Sequence, residues 1–108
     1  MDADYTPDEV ATLLARGEIQ LIDVREPEEW AAGRIAGAKL IELGELNERA
    51  GEIDRERSVV FYCRSGSRSA MAAQAFQAAG YDAHNMEGGL LEWNGHGLPL
   101  DPAGGFVA

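Results

Sequence analysis

The stretch Val59–Phe76, VVFYCRSGSRSAMAAQAF, decides how the chain is read. It opens on an apolar run of β-branched and aromatic residues that, with Ser58 before it, predicts a strand over Ser58–Cys63. A strand with no polar face suits a parallel sheet covered on both sides by helices. Beyond the short RSGSRS segment, Ala72, Ala75, Phe76 and Ala79 fall at i, i+3, i+4 and i+7. That spacing predicts one apolar helix face, which Gly80 closes. The chain's single cysteine, Cys63, therefore stands at a strand-to-helix turn.

Working outward, the same alternation continues. TPDEVATLLARG reads as a helix: Thr6 caps it, Pro7 suits its first position, Glu9 completes a capping box and Gly17 ends it. Val10, Leu13 and Leu14 form its inward stripe. IQLIDV (Ile19–Val24) is a strand-length apolar run, and EPEEWAAG starts a helix at Pro27 and ends it at Gly33. AKLIEL predicts another strand and GELNERAGEI an acidic helical stretch. Downstream, YDAHNMEGG predicts a weaker strand and turn, LLEWNGHG a short helix, and the tail LPLDPAGGFVA irregular chain. Strands alternating with helices predict an α/β fold with a mainly parallel sheet. Its 108 residues make one domain, with a core over about 5–100 and a tail over 101–108.

Composition bounds the function. A net charge of −10 argues against a general nucleic-acid binder, whose affinity comes from neutralising phosphates. No apolar run approaches the roughly 20 residues that span a bilayer, so no membrane association is expected. The N-terminus, MDADYTPDEV, is acidic and lacks the apolar core of an export signal, which makes a cytoplasmic location the expectation. One cysteine forms no disulfide framework, and His84 and His96 are too scattered for a metal cluster. No metal and no cofactor are expected.

In an open α/β sheet, ligands bind outside the carboxyl ends of the strands. Cys63 sits at such an end, where free amides and the dipole of the following helix favour an anion. Arg64 and Arg68 add positive charge in a segment without carboxylates, and Ser65, Gly66 and Ser67 let the backbone curl around the sulfur. All of this lowers a thiol pKa and raises its thiolate fraction. The plainer alternatives are a structural cysteine, Ser67 or Ser69 acting as helix cap, and Arg64 as a solvated surface charge. Placement between a buried strand and an Arg/Ser/Gly loop favours a reactive thiol over a structural one. A Cys-loop-Arg arrangement also suggests phosphate ester hydrolysis, where the loop wraps a tetrahedral dianion that the arginine grips. That chemistry has the spacing C-x5-R. Here Cys63 to Arg68 is C-x4-R, and position 69 is serine. The tighter loop suits a single added sulfur atom.

At these residues the chain resembles the single-domain rhodaneses, the thiosulfate sulfurtransferase family. CRSGSRS is similar to that family's active-site loop, LIDVREPEEW to its N-terminal signature, GRIAGA to its G-H-I-P-G-A turn, and MEGGLLEWNGHGLPL to its C-terminal stretch. The four occur in family order from about Tyr5 to Leu100. Arg34 and Ala36 depart from the family's His and Pro. The resemblance implies a rhodanese-like parallel sheet of about five strands with helices on both faces. It implies scaffold roles for Asp23 and Arg25, core positions for Trp30 and Trp93, and a tight turn at Gly88 and Gly89. It also implies sulfur transfer: Cys63 attacks the outer sulfur of thiosulfate or a similar small donor and becomes a persulfide. Backbone amides of Arg64, Ser65, Gly66, Ser67 and Arg68 hold that persulfide, and Arg64 and Arg68 orient the donor. An external acceptor then takes the sulfur, either cyanide or a thiol such as glutathione or a thioredoxin-like protein. The alternatives are a regulatory or protein-docking module that keeps the fold without turnover, and a phosphatase or arsenate reductase.

Overall fold

The architecture comes from a computed structural model that describes residues 4–108. Met1–Ala3, the start of the stretch read above as lacking an export signal, lie outside them. Among the described residues, five strands and four α-helices follow in the order β1 (Asp4–Tyr5), α1 (Pro7–Ala15), β2 (Gln20–Asp23), α2 (Pro27–Ala32), β3 (Lys39–Leu40), β4 (Val59–Tyr62), α3 (Ser67–Ala78), β5 (Ala83–Met86) and α4 (Gly89–Gly95). The strands form one parallel sheet in the order β1-β5-β4-β2-β3. This is the α/β fold with a parallel sheet that the sequence predicts. After β3 the chain crosses back over β2 to enter β4, so the strand order reverses between β2 and β4. The carboxyl ends of those two strands thus flank the crevice where such sheets bind ligands.

β4 is buried along its whole length, as its lack of a polar face requires. Its side chains alternate between two cores. Val59, Phe61 and Cys63 join Ile22, Val24 and Ile41 beneath Ala72, Ala73 and Phe76 of α3. Val60 and Tyr62 face Val10 of α1 and Leu90 and Trp93 of α4. Each buried aliphatic or aromatic side chain contributes about 1.5–3 kcal/mol, so the central strand holds both layers together. Tyr62 adds a polar anchor: its Oη accepts the Ile35 amide at 3.2 Å. Tyr62→Phe is expected to orphan that buried N–H and cost about 1–3 kcal/mol, read as a lower urea midpoint with an unchanged slope.

The cap of α1 forms as predicted, with Thr6 Oγ1 accepting the Glu9 amide and Glu9 Oε1 accepting the Thr6 amide. Two expectations need correction. The GELNERAGEI stretch makes no α-helix, only the 3-10 turns Leu43–Glu45 and Ala50–Glu52. Gly44 and Gly51 weaken helix formation there. Its two buried side chains, Leu46 and Ile53, stand seven apart with no apolar residue buried between them. Trp30 is half-buried rather than core, with the Arg34 guanidinium 5.1 Å from its ring centroid. Trp93 is in the core. The tail carries no helix, yet it lies back along the end of α2. Arg34 and Asp101 bond reciprocally, and the Phe106 amide donates to Ala32 O at 3.0 Å. Arg34, standing where the resembled family has His, also donates from its guanidinium to the Trp30 carbonyl at 3.2 Å and lies 3.7 Å from the Asp101 carboxylate of the tail.

Candidate active site

Cys63 follows β4 directly and has no exposed surface. Its sulfur nevertheless lies among donors. The Gly66 amide is 3.1 Å from Sγ, the Ser69 amide 3.5 Å and the Ser69 hydroxyl 3.4 Å. Burial pushes the thiol pKa up. The Ser69 hydroxyl and the amides of Ser69, Gly66 and Ser65 overcome it, and the net shift is downward. An aliphatic pocket would have raised the pKa, so the amides and the hydroxyl decide the sign.

Two glycines make this curl possible. Gly66, whose N–H meets the sulfur, adopts φ 103°, which turns the following chain into α3. Gly89 adopts φ 62°, and a Cβ there would lie 2.6 Å from the carbonyl oxygens of both Cys63 and Arg64. Those carbonyls accept the amides of Leu90 at 2.8 Å and Leu91 at 3.0 Å. The start of α4 is thereby fastened to the start of the cysteine loop, so the GG turn at Gly88–Gly89 is part of the site's frame.

The predicted loop residues separate into distinct places. Gly66 is buried, while Arg64, Ser65 and Ser67 are exposed. Arg64 turns outward, its Nε donating to the Ala108 carbonyl oxygen at 2.9 Å. Arg68 is half-buried and clasps Glu29 of α2 through Nη1 and Nη2 at 2.9 and 3.0 Å. Its charge and that of the Cys63 thiolate favour one another. Neither serine caps α3: Gly66 holds that position without a side-chain bond, and Ser67 is the first helical residue. Ser69 faces inward instead. Its hydroxyl has one proton and two acceptors in reach, Cys63 Sγ and Asn85 Oδ1 of β5 at 2.5 Å.

Sequence reasoning assigned Ser69 no part at the sulfur and did not notice Glu29 or Asn85. Ser69 had a signal: six residues after Cys63, it completes the turn and a half that returns to the strand end. Glu29 lies 39 residues from Arg68, and nothing in the local pattern joins them. Asp23 and Arg25, at the end of β2, form a fully buried ion pair at 2.7 Å. Arg25 Nη2 also donates to Gly33 O at 2.8 Å. The histidines lie elsewhere, His84 against Asp82 at 2.8 Å and His96 against Asp8 at 3.0 Å. Among the described residues, no group of three or more His, Cys, Asp or Glu side chains is placed to hold a metal. No helix there is long and apolar enough to cross a membrane.

Comparison with known proteins identifies the fold's family. The model of the rhodanese-like domain matches residues 6–96. A sulfurtransferase of Allochromatium vinosum is 39% identical over 84 residues, covering 77% of this chain and 78% of that protein. An HTH-type transcriptional regulator of Mycobacterium tuberculosis, Rv0324, is 42% identical over 97 residues, but this chain spans only 42% of its length. Among solved structures, a rhodanese-related protein from Thermoplasma volcanium superposes with a TM-score of 0.84 at 28% identity, over 90% of this chain and 95% of that one. The chain belongs to the rhodanese-like domain family.

Proposed function

From that membership we propose that the chain is a sulfurtransferase in which Cys63 carries the sulfur as a persulfide. The observation that supports it most is the convergence of the Gly66 and Ser69 amides and the Ser69 hydroxyl on Cys63 Sγ. A binding module has no use for a thiol whose ionisation is favoured in this way. The Cys63 thiolate attacks the outer sulfur of a donor such as thiosulfate. The S–S bond of the donor breaks, sulfite leaves with the bonding pair, and Cys63–S–S⁻ remains. The loop amides hold that new anion as an oxyanion hole would. An acceptor nucleophile, either cyanide or the thiolate of a small molecule or protein, then takes the terminal sulfur, and Cys63 departs as thiolate. A depressed pKa helps this second step, because it makes Cys63 a better leaving group, at some cost to nucleophilicity in the first. With no second cysteine in the chain, release of the sulfur needs an external acceptor. The sulfur is sealed from solvent, so loading requires the loop or its flanking side chains to give way.

Incubation with thiosulfate followed by intact mass measurement tests the reading. The expected result is one added sulfur atom, removed by cyanide and absent in Cys63→Ala. Absence of an adduct with any sulfane donor would instead favour a docking module of the same fold, and turnover of a phosphate ester would favour a phosphatase.

A further inference from the structure

We infer that Glu29 is a specificity-determining residue of this site, setting it against small dianionic donors and in favour of donors with a single negative charge, such as a persulfide anion. The inference rests on the sulfur-transfer reading and narrows its substrate class. An arginine at the end of a cysteine loop ordinarily offers its guanidinium fork to an incoming anion. Here the fork is taken. Both terminal nitrogens of Arg68 are bound to the two carboxylate oxygens of Glu29, at 2.9 and 3.0 Å, and Glu29 is itself mostly covered. The hydrogen bonds from Arg68, working against burial, hold Glu29 down at about 2. The clasp is therefore closed at any working pH, and its net charge is zero.

The other cations near the loop do not replace what the clasp removes. Arg64 is exposed and turned toward Ala108, and Arg25 is committed to Asp23. Carboxylates meanwhile gather beyond the carboxyl ends of β2 and β3, and β2 pairs directly with β4, whose end carries Cys63. Glu42 follows β3, and its pKa is raised by desolvation and by the neighbouring Glu26, Glu45 and Glu28. Glu26 in turn begins the helix that carries Glu29. A donor approaching Cys63 thus meets a neutralised arginine, a thiolate and an acidic rim. Repulsion across this rim scales with the donor's charge, so a second negative charge roughly doubles it.

The test compares thiosulfate, a dianion, with benzenethiosulfonate, a monoanion. Both give the Cys63 persulfide when the thiolate attacks the outer sulfur; sulfite leaves in the first case and benzenesulfinate in the second. In Glu29→Gln, the ratio of kcat/KM for thiosulfate to that for benzenethiosulfonate is expected to rise about threefold to tenfold at low ionic strength. That gain should shrink as salt screens the charges. Glu29→Asp, which keeps the charge, should stay near the wild-type ratio. A purely structural role for Glu29 would lower both donors together and leave the ratio and its salt dependence unmoved, which would overturn the inference. Should Glu29→Gln not fold, the unaltered protein still decides. Its thiosulfate kcat/KM must climb with added salt more steeply than that of benzenethiosulfonate, and a fall would refute the idea. If neither donor loads Cys63, the sulfur-transfer reading fails and this inference with it; if both load it with an unchanged ratio, only this inference fails.

Discussion

Asp23→Ala is expected to destabilise the fold by about 3–5 kcal/mol, the cost of leaving a buried charge without its partner. Asp23 and Arg25 have no exposed surface. The carboxylate accepts the Arg25 backbone amide at 2.9 Å, Nε at 2.9 and 3.1 Å, and Nη2 at 2.7 Å. Burial pulls the Arg25 pKa down, and these bonds overcome it, so the guanidinium stays charged. Without Asp23, that cation would keep the Gly33 carbonyl and the Tyr62 ring, whose centroid is 5.6 Å from Cζ. Its Nη1 already lacks a hydrogen-bond partner among the described residues. Against a total stability of about 5–15 kcal/mol for a domain, the loss is large enough to populate unfolded chain. Urea denaturation measures it. The double replacement Asp23→Leu with Arg25→Met should recover much of the loss, because it removes both charges from the interior. A single variant within about 1 kcal/mol of wild type would show that the pair's own desolvation nearly cancels its attraction.

These two residues also show what a sequence can disclose. Features set by neighbours in the chain were legible: the doubly buried β4, the capping box at Thr6, the turn glycines, and the location of Cys63 at a strand end. Each depends on contacts within a few residues or on a periodicity. The GELNERAGEI stretch misled because its acidic, helix-favouring composition carried no apolar stripe to hold a helix against the sheet. The clasp between Arg68 and Glu29 was out of reach for a different reason. It joins α3 to α2 across the strand reversal, and only the order β4-β2 brings those elements together. Charge counting assigned Arg68 to the substrate because no carboxylate lies near it in sequence; the fold supplies one. Ser69 falls between these cases. Its spacing from Cys63 was visible, but its inward orientation depends on where α3 begins, one residue after Gly66.

Ser69→Ala should have the second large effect, and on chemistry rather than stability. Of the groups that lower the Cys63 pKa, the Ser69 hydroxyl ranks first, ahead of the amides, and alanine keeps the Ser69 amide in place. A hydrogen bond to a charged group is worth about 1.5–3 kcal/mol, so its loss cuts the thiolate population at acidic pH by more than tenfold. The more basic thiolate left behind is also more nucleophilic, by somewhat less than half of that effect on a logarithmic scale. The net result is an alkylation rate, with iodoacetamide as probe, that falls about threefold or more at acidic pH. The pH profile moves to the alkaline side, and the two proteins converge or cross once both thiols are ionised. A uniform loss at every pH would mean that Ser69 only packs the loop. The sign carries over to stability. Because the folded thiol has the lower pKa, the unfolded chain binds more protons between the two values, and stability rises with pH through that interval. The gain is fully present above the unfolded thiol's pKa and is lost as pH falls through the folded one. Ser69→Ala should flatten that rise, while Cys63→Ala removes it altogether. Comparing the two variants therefore separates the hydroxyl's share from that of the backbone amides, which no side-chain replacement can delete.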